Sequence, residues 1–492
     1  MDYSQFLAMK QEIGLLIVFL LIFFYDTFAP RRAVAGTDIK AVKGTAGLAC
    51  ILFALFTAWG FVSSCCSCFG EANASVFDGM YVTTPVIAAL KNILNVGVLI
   101  VLIQSTGWAS SDFQIMRRGE FYELLLVTLF GMFLMISARH FLMFVIGLEC
   151  ASLPLAAMVA FDKNKYESHE AAIKYILTAC FSSAIFLFGL SLVYGLSGSL
   201  YYDAIAVSLY EGSGLLIIAL AFVIAGIGFK LSLVPFHLWT ADVYQGAPTP
   251  VTSYLSVISK GATAFAFLVV LLQAFGQFYD QVWEWMLYAL IILTITVGNL
   301  FALRQRNMKR FLAFSSVSQA GYIMLGVIGV NEMSLAAMLF YILVYIFSNL
   351  AAFGVIGSIE KNAGVVDMDG YRGLSKTNPK LAFSMMLAMF SLAGIPPFAG
   401  FFSKFFIFTG AINQGTIAIY ILVLIALINT IISLFYYLLV VKAMYITPTE
   451  TPIARFKSSC TERLGLVITV AGIIALGIVS WFYNSILTLC GV

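Results

Sequence analysis

The sequence predicts an all-α polytopic membrane protein of about 14 transmembrane helices, with two inverted five-helix repeats and broken helices 7 and 12. Composition, the lengths of the apolar runs and the placement of basic residues lead there. Of 492 residues, 61% are hydrophobic and only 10% are charged, with a mean hydropathy of +0.98. Soluble domains carry about 25% charged residues, so the solvent of this chain is lipid. A formal net charge of +3, scattered over loops, argues against a nucleic-acid partner.

Apolar runs of spanning length fall at 13–29, 44–63, 82–107, 120–138, 140–161, 169–196, 213–240, 249–276, 283–303, 308–329, 332–359, 378–412, 416–444 and 463–489. Only Arg139 and His140 interrupt the fourth and fifth. No strand is expected. The first run has no small-residue cleavage site after it and reads as a retained helix. Three helices in 1–118 precede a first repeat in 119–277 and an inverted second one in 278–445, and 446–492 supplies the last helix. Five spans per unit reverse the direction of the chain, which is why the second copy is inverted.

Charge placement tests this count, because cytoplasmic loops collect Lys and Arg. Twenty of the 27 basic residues fall in loops of one side, from Arg31 and Arg32 to Arg463, whereas only Lys10 and Arg139 fall in loops of the other. Both termini are therefore expected on the periplasmic side of a bacterial inner membrane. Acidic Glu71, Asp78, Asp203, Glu211, Asp280, Glu284 and Glu332 are assigned to the outer loops. A cysteine cluster, Cys65, Cys66 and Cys68, lacks the further ligands a zinc or iron-sulfur site requires. Two of those thiols are open to oxidation if the loop faces the periplasm.

Five lysines remain inside spans: Lys91, Lys174, Lys230, Lys260 and Lys404, with the acids Glu123 and Glu149. A lysine at mid-span costs about 2.5–3.5 kcal/mol on insertion scales, so such residues mark function unless they reach an interface. Lys174 beside Glu170, Glu123 and Lys91 can snorkel. Lys230, Lys260 and Lys404 lie too deep. Pro235 follows Lys230 by five residues, and Pro396-Pro397 precede Lys404. Proline inside a helix frees carbonyls that lipid cannot satisfy, so each break must line a protein-buried or hydrated cavity. A buried amine deprotonates readily and a nearby carboxylate restores its charge, which is proton-relay chemistry. Glu149, deep in the fifth span, is the expected partner of Lys230 or Lys174, and His237 is either a proton carrier between Lys230 and Lys260 or a hydrogen-bonded structural histidine, the two readings weighing equally. Thr252, Ser256, Ser259, Ser315, Ser316, Ser318 and Gln319 supply hydroxyls and an amide for a water wire or for helix packing. No nucleotide-binding glycine motif is present.

Phe229-Lys230-Leu-Ser-Leu-Val-Pro235-Phe-His237-Leu-Trp239, with Asp242-Val-Tyr-Gln-Gly-Ala-Pro248-Thr-Pro250, resembles the signature of the antiporter-like subunits of respiratory complex I and of Mrp-type cation/proton antiporters. Asn307-Met-Lys309-Arg310-Phe-Leu-Ala-Phe-Ser315-Ser-Val-Ser-Gln-Ala-Gly321-Tyr looks like that family's tenth helix, and the resemblance covers nearly the whole chain. It implies fourteen helices in two inverted repeats, Glu149 and Lys230 as an interacting pair, Lys260 as central relay, Lys404 as exit and Lys174 as accessory. Lys404 separates this chain from one large subunit that carries glutamate there, and its length separates it from another that carries a long lateral helix.

The resemblance further implies a proton-translocating, non-redox subunit of an NADH:quinone oxidoreductase. NADH, FMN, iron-sulfur clusters and quinone are then held by partner subunits and no cofactor by this chain. The expected partners are a neighbouring antiporter-like subunit, small quinone-side membrane subunits and the lipid bilayer. An Mrp-type antiporter subunit and a hydrogenase-associated membrane subunit share these features, and a purely structural anchor is the reading from a different class.

Overall fold

The computed structural model describes residues 3–33, 40–42, 44–65, 74–111, 114, 116–209 and 214–491. Cys66, Cys68, Glu71 and Glu211 lie outside the described residues. Thirteen described helices are long and apolar enough to cross a membrane. The spans, in order, are Lys10–Phe28, Thr45–Cys65, Pro85–Ala109, Arg118–Ser137, Phe141–Val159, Tyr166–Ser197, Gly214–Leu231, Thr249–Phe278, Glu284–Ala302, Met308–Ile328 and Glu332–Ala363, then Ile417–Tyr445 and Cys460–Ile478. Between the last two groups, Pro379–Ala393 and Ala399–Ile412 form one broken span, the twelfth of fourteen. The seventh is also broken, its second half being Leu238–Gly246.

Local chemistry explains the boundaries. The third span starts on Thr84, whose hydroxyl accepts from the Ile87 amide, with Pro85 at the first helical position, where its missing N–H costs nothing. The fourteenth opens with a capping box between Ser459 and Glu462. It ends at Ile478 rather than 489, and a separate short helix, Trp481–Cys490, follows. Apolar composition carried through Val479 and Ser480 and hid that break. Two short antiparallel ribbons also depart from the strandless expectation: Arg31–Ala33 with Lys40–Val42, and Ala74–Val76 with Tyr81–Thr83. Both lie in loops outside the spans, where water or protein serves the ribbon's free edges.

Packing repeats between the two groups of five. Spans 4 and 5 pair closely, as do 9 and 10. Span 6 packs on both halves of span 7, and span 11 on both halves of span 12. Span 8 returns to span 4, and span 13 to span 9. The tenth span is buried all round and the eighth nearly so, whereas the first, sixth and thirteenth present broad apolar faces outward, as lipid-facing or partner-facing helices do.

Lys91 overturns the snorkelling expectation. It is 1% exposed and its amine donates to Glu12 Oε1 at 2.6 Å, Ser137 Oγ at 2.7 Å and Tyr81 Oη at 3.2 Å, while Tyr81 donates to Glu12 Oε2 at 2.9 Å. All three ammonium donors are satisfied and one acceptor is a carboxylate, so the charge is locked. Glu12 escaped attention because it precedes the apolar run, yet the helix begins at Lys10 and carries Glu12 inside the protein. Removing one partner leaves an uncompensated buried charge, a cost of about 3–5 kcal/mol. Lys91→Met or Glu12→Leu alone is expected to lower the thermal stability of the assembled protein in membranes, and the double variant to recover most of the loss, as read by thermal-shift of solubilised material.

Candidate proton-relay site

Each deep lysine sits where the helical ladder is interrupted. Lys230 is the penultimate residue of the first half of span 7. Beyond it, Ser232 takes a positive φ of 63°, the Val234-Pro235 peptide is cis, and helix resumes at Leu238. The carbonyls released by the break find protein donors: Phe229 O accepts from the Ser232 amide at 2.9 Å and from Trp239 Nε1 at 3.1 Å. The Val234 amide donates to Thr294 Oγ1 of span 9 at 3.0 Å, so the second repeat finishes the first repeat's break. Lys230 Nζ donates to Ser152 Oγ at 2.6 Å and Tyr175 Oη at 3.2 Å.

The expected Glu149–Lys230 ion pair is therefore not direct. Glu149 accepts from Ser183 Oγ at 2.5 Å, and Ser152, one turn along the same helix, stands beside the lysine instead. Glu149 is half-buried on the outward side of span 5, whereas Lys230 points inward. Lys174 does not meet Glu149 either. As expected for a snorkelling residue it is 43% exposed, held by Glu170 at 2.8 Å and by Asp242 at 2.7 Å. Asp242 is shared, since Arg310 of span 10 reaches its other oxygen at 2.6 Å. The second half of span 7 is thus clamped to both repeats. Asp242 and Arg310 stood in the motifs quoted above, but nothing in their spacing paired them.

Lys260 follows a π-helical turn, Leu255–Ser259, in span 8. Such one-residue widenings often occur at functional sites. Its amine donates to the Ser316 carbonyl at 3.0 Å and hydroxyl at 2.8 Å, crossing to span 10 of the second repeat. His237 lies in the break between Lys230 and Lys260, tilted against Phe301 and edge-on to Phe314. Its ring nitrogens make no well-formed hydrogen bond, the Pro235 carbonyl being its backbone neighbour. Ser232 Oγ and Thr240 Oγ1 are likewise buried without a partner among the described residues. A buried polar atom left unpaired costs about 1–3 kcal/mol, so this stretch favours water.

Beside Ser316 a second polar group lies along span 10. Ser315 hydrogen-bonds Tyr437, Gln319 Nε2 donates to Tyr437 Oη at 3.2 Å, and Tyr341 donates to Gln319 Oε1. Gln319, Tyr341, Tyr345, Ser348, Ser391 and Ser403 then line a cavity of about 10 Å³ at Lys404, near the minimum for one water. Lys404 Nζ donates to the carbonyls of Leu392 at 2.9 Å and Ala393 at 3.1 Å. These are the terminal carbonyls of the first half-helix of span 12, left without amide donors by the Pro396-Pro397 break, and the helix dipole favours a cation there. Lys230, Lys260 and Lys404 are 4%, 1% and 5% exposed. Among the described residues, none has a carboxylate within 4.0 Å, and each faces one tyrosine ring: Tyr175, Tyr244 and Tyr322 respectively.

A membrane bundle with buried amines seated at helix breaks of paired repeats defines an ion-translocating subunit of the antiporter type. Residues 138–433 match the family described as NADH:quinone oxidoreductase/Mrp antiporter, transmembrane. A protein named NADH-quinone oxidoreductase subunit N from Phocaeicola vulgatus is 49% identical over 98% of this chain and 98% of its own length. A chain of respiratory complex I from Thermus thermophilus is 30% identical, with a TM-score of 0.77 over 96% of this chain and 97% of that one. A chain of the Mrp complex from Dietzia sp., 20% identical, shares the fold alone, with a TM-score of 0.83 over 100% of this chain and 97% of that one. The chain belongs to the NADH:quinone oxidoreductase/Mrp antiporter family, and within it to the subunit N relatives.

Gly394 and Gly415 supply a paired test. Both have positive φ, 87° and 79°, so a side chain costs similar backbone strain at each. A Cβ on Gly394 comes 3.1 Å from Lys404 Cδ, whereas at Gly415 nothing lies within 4 Å. In vesicles carrying the assembled protein, Gly394→Ala is expected to lower proton translocation at least threefold more than Gly415→Ala. Equal effects would mean that the seat of Lys404 is immaterial.

Proposed function

We propose that Lys230, Lys260 and Lys404, with Glu149 upstream and Lys174 and His237 accessory, carry the proton that this membrane-arm subunit of NADH-quinone oxidoreductase translocates. The observation that supports it is the set of three buried amines that lack ion-pair partners among the described residues and are held only by hydroxyls and backbone carbonyls. An amine held only by hydroxyls and carbonyls can lose its proton without leaving a carboxylate charge stranded in the interior. Lys91, paired with Glu12, cannot do so, and the contrast between them separates relay from scaffold.

Proton uptake on the basic-loop side passes the Lys174–Asp242 mouth to Lys230. Ser152, one turn from Glu149, gives the carboxylate an indirect influence on that amine. The proton moves past His237 to Lys260, whose partner Ser316 belongs to the second repeat. Ser315, Tyr437, Gln319 and Tyr341 link that point to the Lys404 cavity. A neutral Lys404 amine keeps two N–H donors, enough for both carbonyls, so it loses its proton in place, and the proton leaves on the side of the termini, the periplasm.

In this reading the units 119–277 and 278–445 are the two half-paths, braced by 1–118 and 446–492. The chain performs no redox step itself; NADH, FMN, iron-sulfur clusters and quinone belong to partner subunits. A neighbouring antiporter-like subunit and small quinone-side subunits adjoin it in the inner membrane. The drive from quinone chemistry reaches this chain as a change in charge or conformation at those contacts.

The test uses inverted vesicles with the assembled complex. Lys404→Ala and Lys404→Arg are both expected to lower protons moved per electron, the arginine because guanidinium does not deprotonate. NADH oxidation by a soluble acceptor that bypasses the membrane arm should stay normal. Full proton yield in either assembled variant would contradict the relay.

A further inference from the structure

The exposed Lys174–Asp242 pair is not the only polar feature on the basic-loop side. A cavity of about 370 Å³ lies among spans 3, 8, 11 and 14, walled in part by Ser253, Gly354, Glu360, Lys361 and Glu462. Its ionisable groups are matched rather than of one sign. Lys361 pairs with Glu462 at 2.9 Å, and Glu360 takes Lys309 at 3.3 Å and Lys165 at 3.5 Å, with a hydrogen bond from Thr249. Lys309 is 4% exposed, so it backs the wall through Glu360 rather than lying in the loop its sequence context suggests. Charge balance of this kind holds water without concentrating an anion or a metal ion, and the volume admits several molecules.

The inner end of the cavity meets a polar column that the relay above does not use. Ser253 lines the cavity, and its carbonyl accepts from Ser256 Oγ at 2.8 Å. Asn349 Nδ2 donates to Ser256 Oγ at 2.8 Å and to Tyr345 Oη at 3.2 Å, while Asn349 Oδ1 is buried with no partner among the described residues. Tyr345 in turn lines the Lys404 cavity. Tyr341, Tyr345 and Asn349 recur every four residues, so they lie along one side of span 11. From Tyr341 to Glu360 span 11 rises about 28 Å, most of the hydrocarbon thickness. Helix-packing amides are common in membrane bundles, but a packing role leaves no reason for an unpaired amide oxygen or for a column that joins two cavities.

We propose that the larger cavity is a second proton intake, which delivers through Asn349 and Tyr345 to the Lys260–Lys404 segment without passing Lys230. Water at the inner end of the cavity gives up a proton and is re-protonated through the cavity's water from the basic-loop face, so no hydroxide is left behind. The Tyr345 hydroxyl accepts the proton given up while releasing its own, so no charge is stored there, and the unprotonated amine of Lys260 or Lys404 takes the released proton as ammonium. Asn349 is a positioning residue whose free Oδ1 orients the donor water. This inference rests on the relay reading, because the delivered proton needs those amines.

Two measurements on the assembled complex in inverted vesicles decide it. Ser253→Cys should react with a small charged thiol reagent applied from the basic-loop face and not from the other, above the reactivity of the parent. Asn349→Leu should remove at least half of the proton yield that Lys404→Ala removes, with Asn349→Ser restoring it. No reaction at Ser253→Cys, unchanged yield in Asn349→Leu, or an Asn349→Ser variant as impaired as the leucine one overturns the second intake. If Asn349→Leu fails to assemble, the Ser253→Cys reaction decides alone. A loss in Lys404→Ala without one in Asn349→Leu sinks only this inference, whereas full yield in Lys404→Ala sinks the relay itself.

Discussion

Inside a bilayer a backbone carbonyl without a donor has no water to turn to, and the structure around the relay follows from that constraint. A helix can be broken at mid-membrane only where other protein groups fill the gap. In span 12 the filler is Lys404, whose amine occupies two carbonyls of the preceding half-helix. In span 7 it is Trp239 and the Thr294 hydroxyl. The break and the lysine stabilise one another: an ammonium needs acceptors in an apolar medium, and the freed carbonyls need donors. Because each such bond is to a neutral group, the arrangement survives loss of the proton at lower cost than an ion pair does.

Buried lysine is therefore two different things in this chain. At Lys91 three acceptors including Glu12 fix the charge and tie spans 1, 3 and 4 together. At Lys230, Lys260 and Lys404 the acceptors are hydroxyls or carbonyls, and polar atoms near His237 and at Asn349 are buried without a partner among the described residues. Each repeat also completes the other. Thr294 caps the break of the first, Lys260 reaches Ser316 of the second, and Arg310 shares Asp242 with Lys174. A change in either repeat is felt at the other through a few short contacts.

The span count, both broken helices and the three deep lysines were legible in the sequence, because lipid imposes run length and makes proline and charge conspicuous. Partners were not. Glu12 and Lys91 are 79 positions apart, and no local pattern marks them as a pair. Glu149 was matched to Lys230 by depth and by the family resemblance, but neither says which face of a helix a carboxylate occupies, and its hydrogen bond from Ser183 keeps it out of direct contact with the amine. The end of span 14 was hidden by apolar residues running through the break. The stripe of Tyr341, Tyr345 and Asn349 was readable at four-residue spacing, although only the packing of span 8 gives it a destination.

The central claim is that the three amines without carboxylate partners change protonation during turnover and that Lys91 does not. Infrared difference spectroscopy of the assembled complex with ¹⁵N-labelled lysine measures this directly. Isotope-sensitive ammonium bands are expected on turnover, weakened by Lys260→Met and untouched by joint replacement of Lys91 and Glu12. Bands that are absent, or that persist unchanged in Lys260→Met, would contradict it.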